Sequence, residues 1–175
     1  MAKIIAEALE GELNVVLVRK LHSLEQPELA LGSVDENGWV FLTESANNYY
    51  ANPHYIEVER IRQMAILNQR RALYTPICPP AVVTDRIVIV VDDGLATGAT
   101  MVAALHVLRA MKPAKLICAV PVAPQDTLAK VAGMTEIVDE VFCLEVPENF
   151  RAVSLFYEHF PQISDDEVVQ LLKRD

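Results

Sequence analysis

Apolar positions change rhythm part-way along the chain. Near the start, Ile4, Ile5, Ala8 and Leu9 fall on one helical face with Glu7 and Glu10 off it, and Gly11 stands where such a helix would end. Leu13 to Val18 then reads as a buried strand stopping at Arg19 and Lys20. The runs 29–34 and 39–42 flank Asp35, Glu36, Asn37 and Gly38, and Asn37-Gly38 signals a β-hairpin. The polar run 43–55 reads as a mobile loop. The segment 56–74 reads as a long helix rich in Arg and Gln, with Glu57/Arg60 and Glu59/Arg62 at the i,i+3 spacing of exposed ion pairs. A Pro-rich stretch over 75–80 ends that helix.

Beyond it the apolar residues come in solid runs. The order is strand (87–91), helix (98–111), strand (115–120), helix (125–132) and strand (137–144), and the strands lack polar alternation. That pattern predicts a parallel sheet covered on both faces by helices. Ser164 with Glu167 has capping-box spacing and opens a last helix running to Leu172. The expected fold is therefore α/β, a mainly parallel sheet flanked by helices, with a β-hairpin and a hood carrying a flexible loop. With 175 residues, 52% of them hydrophobic, and no repeat or linker, residues 1–175 read as one domain.

Charge and cysteine content narrow the functional classes. Fifteen Lys and Arg against 24 Asp and Glu give a net charge of -9, which disfavours a phosphate-tracking nucleic-acid surface. An anionic small ligand would need concentrated local donors or a divalent cation. Cys78, Cys118 and Cys143 form no C-x-x-C pair, so neither a disulfide framework nor a zinc site is indicated; Cys118 and Cys143 read as core. His22, His54, His106 and His159 lack metal-ligand spacing. No run approaches about 18 apolar residues and no leader pattern is present, so a cytoplasmic protein without membrane contact is expected.

The chemistry concentrates after the strand 87–91. In open α/β sheets the ligand crevice lies at the carboxyl ends of the parallel strands. Asp92 and Asp93 stand there, followed by Gly94, Leu95, Ala96, Thr97, Gly98, Ala99 and Thr100. Glycines let successive backbone N–H groups point at one anion, and the helix starting near Gly98 adds its positive end. Thr97 and Thr100 add hydroxyl donors, which completes a phosphate site. Two adjacent carboxylates would repel a phosphate but suit hydroxyls. A ribose 5-phosphate reconciles the two halves: the loop takes the phosphate, while Asp92 and Asp93 accept from the 2- and 3-hydroxyls and face a hydrated magnesium ion. The alternative is that the acids only cap the next helix and the glycines only turn the chain. No G-x-x-x-x-G-K-[ST] and no G-x-G-x-x-G occurs, which weakens ATPase and dinucleotide readings.

The run from Ile87 to Asp93 closing in Thr97-Gly98-Ala99-Thr100 resembles the 5-phosphoribosyl-1-pyrophosphate (PRPP) motif of the type I phosphoribosyltransferase family. The likeness extends to Val15–Lys20, Glu28–Val34, Ala119–Ala123 and Pro147–Phe150, which resemble an uncharacterised bacterial branch of that family. What the resemblance implies is a magnesium-dependent PRPP site and transfer of the ribosyl 5-phosphate to a nitrogenous base or amine, with release of pyrophosphate. By the same analogy Asp92, Asp93 and Lys20 would be catalytic. Arg19, Lys20 and residues 92–100 would bind substrate, with Mg2+ held by Asp92 and Asp93 through water and by no direct ligand. A second copy of the chain is an admissible partner. The other functional class compatible with these residues is a PRPP-sensing protein without turnover.

Family members open with a core strand and a short pyrophosphate loop, resembling Arg-Gly-Gly in this branch, whereas this sequence starts inside the first helix. The expectation is that the first core strand and one set of leaving-group donors are missing, so that binding outlives turnover. Arg60, Arg62, Arg70 and Arg71 read as helix-surface pairs. Tyr49, Tyr50, Phe156, Tyr157 and Phe160 are candidates for stacking on an acceptor ring, with core packing the simpler reading of Phe156 and Phe160.

Overall fold

The computed structural model describes residues 1–24, 30–43, 46 and 52–173. Its strands form two three-stranded sheets. The first is antiparallel, in the order β1 (Val18–His22), β2 (Ala30–Asp35), β3 (Val40–Leu42). The second is parallel, in the order β4 (Ile87–Val91), β5 (Lys115–Val122), β6 (Glu140–Glu145). The helices are α1 (Ala2–Ala8), α2 (Pro53–Tyr74), α3 (Ala99–Ala110), α4 (Gln125–Ala132) and α5 (Asp165–Leu172), with a 3-10 turn at Val153–Phe156. The fold is α/β, as the residue pattern predicts. Among the described residues no helix is long and apolar enough to cross a membrane.

The helix α3 joins the two sheets. It packs on β1, β2 and β3 and also on β4 and β5. Met101, Val102, Ala104, Leu105 and Leu108 are all buried in one cluster with Val90, Leu116, Cys118 and Val120. A helix apolar around most of its circumference needs cover on both sides, and the two sheets provide it. The antiparallel sheet packs in turn against α2, and a second cluster gathers Leu21, Leu31, Val34, Ile56 and Leu67.

The hairpin forms as its turn chemistry dictates. Gly38 takes a left-handed φ of 85°, and buried Asp35 accepts hydrogen bonds through Oδ1 from the amides of Asn37 (2.7 Å) and Trp39 (3.0 Å). The capping box at Ser164 and Glu167 is present, and Asn52 caps α2 by accepting from the His54 amide at 3.0 Å. That cap starts α2 at Pro53, so 53–55 is helix and not loop; of the expected mobile segment, 44, 45 and 47–51 lie outside the described residues, as do Glu28 and Leu29.

Several expectations are corrected. Leu13 to Leu17 joins no strand ladder, and β1 begins only at Val18, because β2 offers its partners opposite residues 18–22. Arg19 and Lys20 therefore lie inside a strand and do not follow one. The left-handed residue after α1 is Glu10 (φ 52°), so Gly11 is not the terminator. The last parallel strand starts at Glu140 because 134–138 is a turn held by Ile137 and Val138 amides on the Met134 carbonyl. The parallel sheet is also not fully covered: Phe142 and Leu144 on its edge strand are 57% and 82% exposed, and α1, seven residues long, has no fully buried side chain. The Glu59/Arg62 pair forms at 3.9 Å with an exposed Arg62, but its Glu59 half is buried and not on the surface.

Candidate active site

The strand β4 delivers its last residue to the carboxyl edge of the parallel sheet, and the chain then crosses the end of β5. The Asp92 amide reaches the Ala119 carbonyl at 3.4 Å and the Leu95 amide donates to the Val122 carbonyl at 3.0 Å. Leu95 is buried beneath the loop, while Ala96 and Thr97 are exposed above it. Leu95 thus anchors a loop whose crest, Ala96 and Thr97, faces outward, and the chain returns to the interior at Gly98 and Ala99. Thr127, on α4, donates to the Ala96 carbonyl at 2.8 Å and holds the crest of the loop.

The two glycines serve different needs. Gly98 has φ 74° at the N-cap of α3, a conformation costly for any other residue. At Gly94 a Cβ would lie 2.9 Å from methyl carbons of Val122 and Val153, so that position is set by close packing and not by φ. Among the described residues no side chain at the N-cap position caps α3, whose cap residue is Gly98; the Ala99 amide donates a long hydrogen bond to Thr97 Oγ1 at 3.4 Å. The first-turn amides of α3 follow the acid pair within one short loop, and with the Thr97 and Thr100 hydroxyls they are the candidate donors for an anion.

The carboxylates are electrostatically strained. Burial, then the neighbouring Asp93 charge, pushes the Asp92 carboxyl up to about 6. Asp93 is also raised, by burial first. Both shifts are opposed by the charge of Lys20, which places that ammonium within electrostatic reach of both carboxylates. Asp92 Oδ1 accepts the Asp93 amide at 2.9 Å, fixing one carboxylate against the backbone. Among the described residues no three His, Cys, Asp or Glu side chains converge as a metal cage. Two adjacent, partly desolvated carboxylates suit a hydrated divalent cation whose remaining ligands come from substrate.

The basic pair divides. Successive strand residues point to opposite faces. Lys20 lies opposite Ser33 in the ladder, and buried Ser33 donates to the Ala99 carbonyl at 2.7 Å, so the Lys20 face of β1 is the face toward the loop. Arg19 points the other way, donating from Nε to Gln63 Oε1 at 2.6 Å. The structure therefore brings Lys20 to residues 92–100 and takes Arg19 to α2. The four arginines of α2 meet acids: Arg60 with Glu57, Arg62 with Glu59, Arg70 with Asp165 and Arg71 with Glu36.

Two contacts at the site carry little signal in the sequence. Tyr157 donates its hydroxyl to the Asp93 carbonyl at 2.6 Å, and burial followed by the two carboxylates holds the phenol protonated. Ser33 could have been suspected as a polar residue within an apolar strand. Phe156 and Phe160 are partly exposed and not core: Phe156 stacks on Phe150 at 5.6 Å and Phe160 tilts against Tyr157 at 5.2 Å. Tyr49 and Tyr50 lie outside the described residues.

Comparison with known proteins identifies the family. Residues 1–157 match the family described as "Phosphoribosyl transferase domain". The chain belongs to that family. It is 39% identical over 171 residues to two Mycobacterium tuberculosis proteins named as candidate phosphoribosyl transferases, Rv0571c (strain H37Rv) and MT0597 (strain CDC 1551); the match covers 97% of this chain and 38% of each relative. The chain thus spans about two fifths of the length of those relatives. It is also similar to the crystal structure of TT1426 from Thermus thermophilus, with 39% identity and a TM-score of 0.76 over 97% of this chain and 79% of that one. Within this phosphoribosyl transferase domain, the acid pair and the loop 94–100 occupy the carboxyl edge of the parallel sheet.

Proposed function

We propose that residues 92–100 form a PRPP site and that the chain, acting in the cytoplasm as one domain, transfers the ribosyl 5-phosphate to a nitrogenous base or amine with release of pyrophosphate. The observation that carries the reading is the juxtaposition of two raised-pKa carboxylates with an uncapped helix N-terminus. Phosphate alone would avoid the acids and a cation alone would not need the amides. A sugar phosphate uses both.

Each group then has a task. The amides of the loop and of the first turn of α3, with the Thr97 and Thr100 hydroxyls, hold the 5-phosphate. Asp92 and Asp93 accept from the 2- and 3-hydroxyls, and the same oxygens would face the water shell of Mg2+. The cation, when bound, neutralises charge on the departing pyrophosphate. Lys20 adds a donor on that side, where stabilisation of the leaving group affects rate more than ground-state binding. Tyr157 holds the Asp93 backbone so that the carboxylates keep their orientation.

Calorimetric titration of PRPP with and without Mg2+, against wild type and Asp92→Asn/Asp93→Asn, tests the site. Magnesium-dependent binding lost in the variant supports it, and no binding by a folded wild type removes it. A second reading, PRPP binding without turnover, is favoured by one observation: Arg19 is engaged by Gln63, which leaves Lys20 as the member of the basic pair on the acid side. Pyrophosphate release measured against a panel of bases separates the two, since binding with no release on any base selects the sensing role. Nucleic acid is not an expected partner at a net charge of -9.

A further inference from the structure

The helix α2 turns a regular face to the antiparallel sheet: Ile56, Glu59, Gln63, Leu67 and Tyr74 are its buried residues. Their spacing is that of a core-facing stripe, where periodicity calls for apolar side chains. Two of the five are Glu59 and Gln63, each 4% exposed. A buried carboxylate and amide are costly unless their hydrogen bonds are met, and leucine at either position would bury as well. Such a pair is retained for what it orients.

Its hydrogen bonds bracket Lys20. Gln63 Oε1 receives Nε of Arg19 at 2.6 Å, and Gln63 Nε2 donates to Glu59 Oε1 at 2.7 Å. The same Glu59 oxygen receives the His22 amide at 3.4 Å, and Tyr55, one turn earlier on α2, donates its hydroxyl to the His22 carbonyl at 2.8 Å. The β1–β2 ladder is irregular at Leu21/His22, so the strand end gets its definition from α2 as well as from β2. One residue before Lys20 and two residues after it, the chain is held to the same helix. Strand alternation then leaves Lys20 one direction, the one shared with Ser33 toward Ala99.

We infer that Glu59 and Gln63 are positioning residues: they take Arg19 to the α2 side and fix the β1 register that aims Lys20 at the Asp92–Asp93 edge. What Lys20 does there rests on the sugar-phosphate reading above, but the positioning does not. Arg19 is then a strut, and its charge serves orientation instead of ligand contact.

The test has a ligand-free arm and a ligand arm. Trace acetylation with acetic anhydride, read by mass spectrometry, reports the reactivity of Lys20 relative to Lys3 and Lys112 in the same chain. Gln63→Leu removes both bonds of the amide, and Lys20, no longer held at the carboxylate edge, should react about threefold faster or more, the scale of losing a partly exposed ion pair. The swap Glu59→Gln/Gln63→Glu restores an acceptor for Arg19, an acceptor for the His22 amide and the bond between the two side chains, and should return Lys20 to wild-type reactivity. Unchanged Lys20 reactivity in a folded Gln63→Leu overturns the inference and leaves the pair a structural contact. If Gln63→Leu does not fold, Arg19→Met cuts the same chain of bonds from its other end and is read the same way.

In the ligand arm, magnesium pyrophosphate is titrated into wild type, Gln63→Leu, Lys20→Met and the double variant. Positioning predicts that Gln63→Leu weakens binding and adds nothing in the Lys20→Met background. Additive losses would overturn it. A wild type that binds no pyrophosphate counts against the PRPP site, while the acetylation result still decides whether Glu59 and Gln63 aim Lys20.

Discussion

The two sheets that flank α3 meet their polar requirements in opposite ways. On the parallel side the candidate site is one unbroken run, 92–100, whose polar groups are backbone amides and the side chains of neighbouring residues. On the antiparallel side the buried polar contacts join residues far apart in the chain: Ser33 with Ala99, Arg19 with Gln63, Arg71 with Glu36. The residue types of a site at a strand end are written in adjacent positions, although Val122, Thr127 and Tyr157 also hold the loop in place. A network that fixes one strand against a distant helix needs the whole fold first. On the proposed reading the consequence is a division of labour, in which the parallel side would supply the groups that touch substrate and the antiparallel side would aim Lys20 at them.

The largest effect that would break this division is on binding. Asp92→Asn/Asp93→Asn should weaken magnesium-dependent PRPP affinity by about 100-fold or more, the scale of losing charge-assisted bonds in a partly desolvated site. Calorimetry against circular dichroism of the same samples checks it, and retained affinity would move the ligand away from the parallel edge. Next is Leu105→Ala in α3. Leu105 is fully buried between the sheets, and truncation should cost about 3 kcal/mol in chemical denaturation. The unfolding should stay a single transition; two transitions would mean the halves are independent units. Asp35→Ala, which strips the hairpin turn of its acceptor for two amides, should cost about 2 kcal/mol by the same measurement. Its PRPP affinity should stay within about threefold of wild type, given that additivity holds for sites without shared partners.

How much of this is legible in the sequence follows the same line. The strand over 87–91, the helix over 125–132, the hairpin turn and the capping box at Ser164 are each written in adjacent residues, and each forms where the pattern puts it. Leu13 to Leu17 looks like a strand and joins no ladder, because apolar composition says that a segment is buried but not which edge will pair with it. The residue types of the basic pair are plain, yet the opposed directions of Arg19 and Lys20 depend on β1 including both, which only the β2 register decides. Glu59 on the core face of α2 reads as a surface acid until its partners at His22 and Gln63 are in place. Tyr157 sits 64 residues from the carbonyl it holds, and no spacing rule connects them.

The smallest expected effect is the sharpest probe of the acid pair, because its sign is unusual. Asp92 has a folded-state pKa of about 6 against an ordinary value of 3.8, so the folded chain binds a proton that the unfolded chain has released. Between those values stability falls as pH rises, and above pH 6 the whole penalty for holding the ionised carboxylate is present. Two pKa units would correspond to roughly 3 kcal/mol, but Asp92 is only partly buried and solvent screens it, so about 1 kcal/mol is the expected size. Asp92→Asn keeps an oxygen for the Asp93 amide and removes the charge. It should therefore raise Tm by about 2–4 °C at pH 7.5 and leave it unchanged near pH 4. A lower Tm at pH 7.5 would mean that the ionised carboxylate holds the loop together instead of straining it. Excess magnesium should narrow the gap at pH 7.5, since a cation that binds only the ionised pair stabilises wild type and not the variant. A gap indifferent to magnesium would separate the strain at Asp92 from any cation site, and the carboxylates would then face sugar hydroxyls alone.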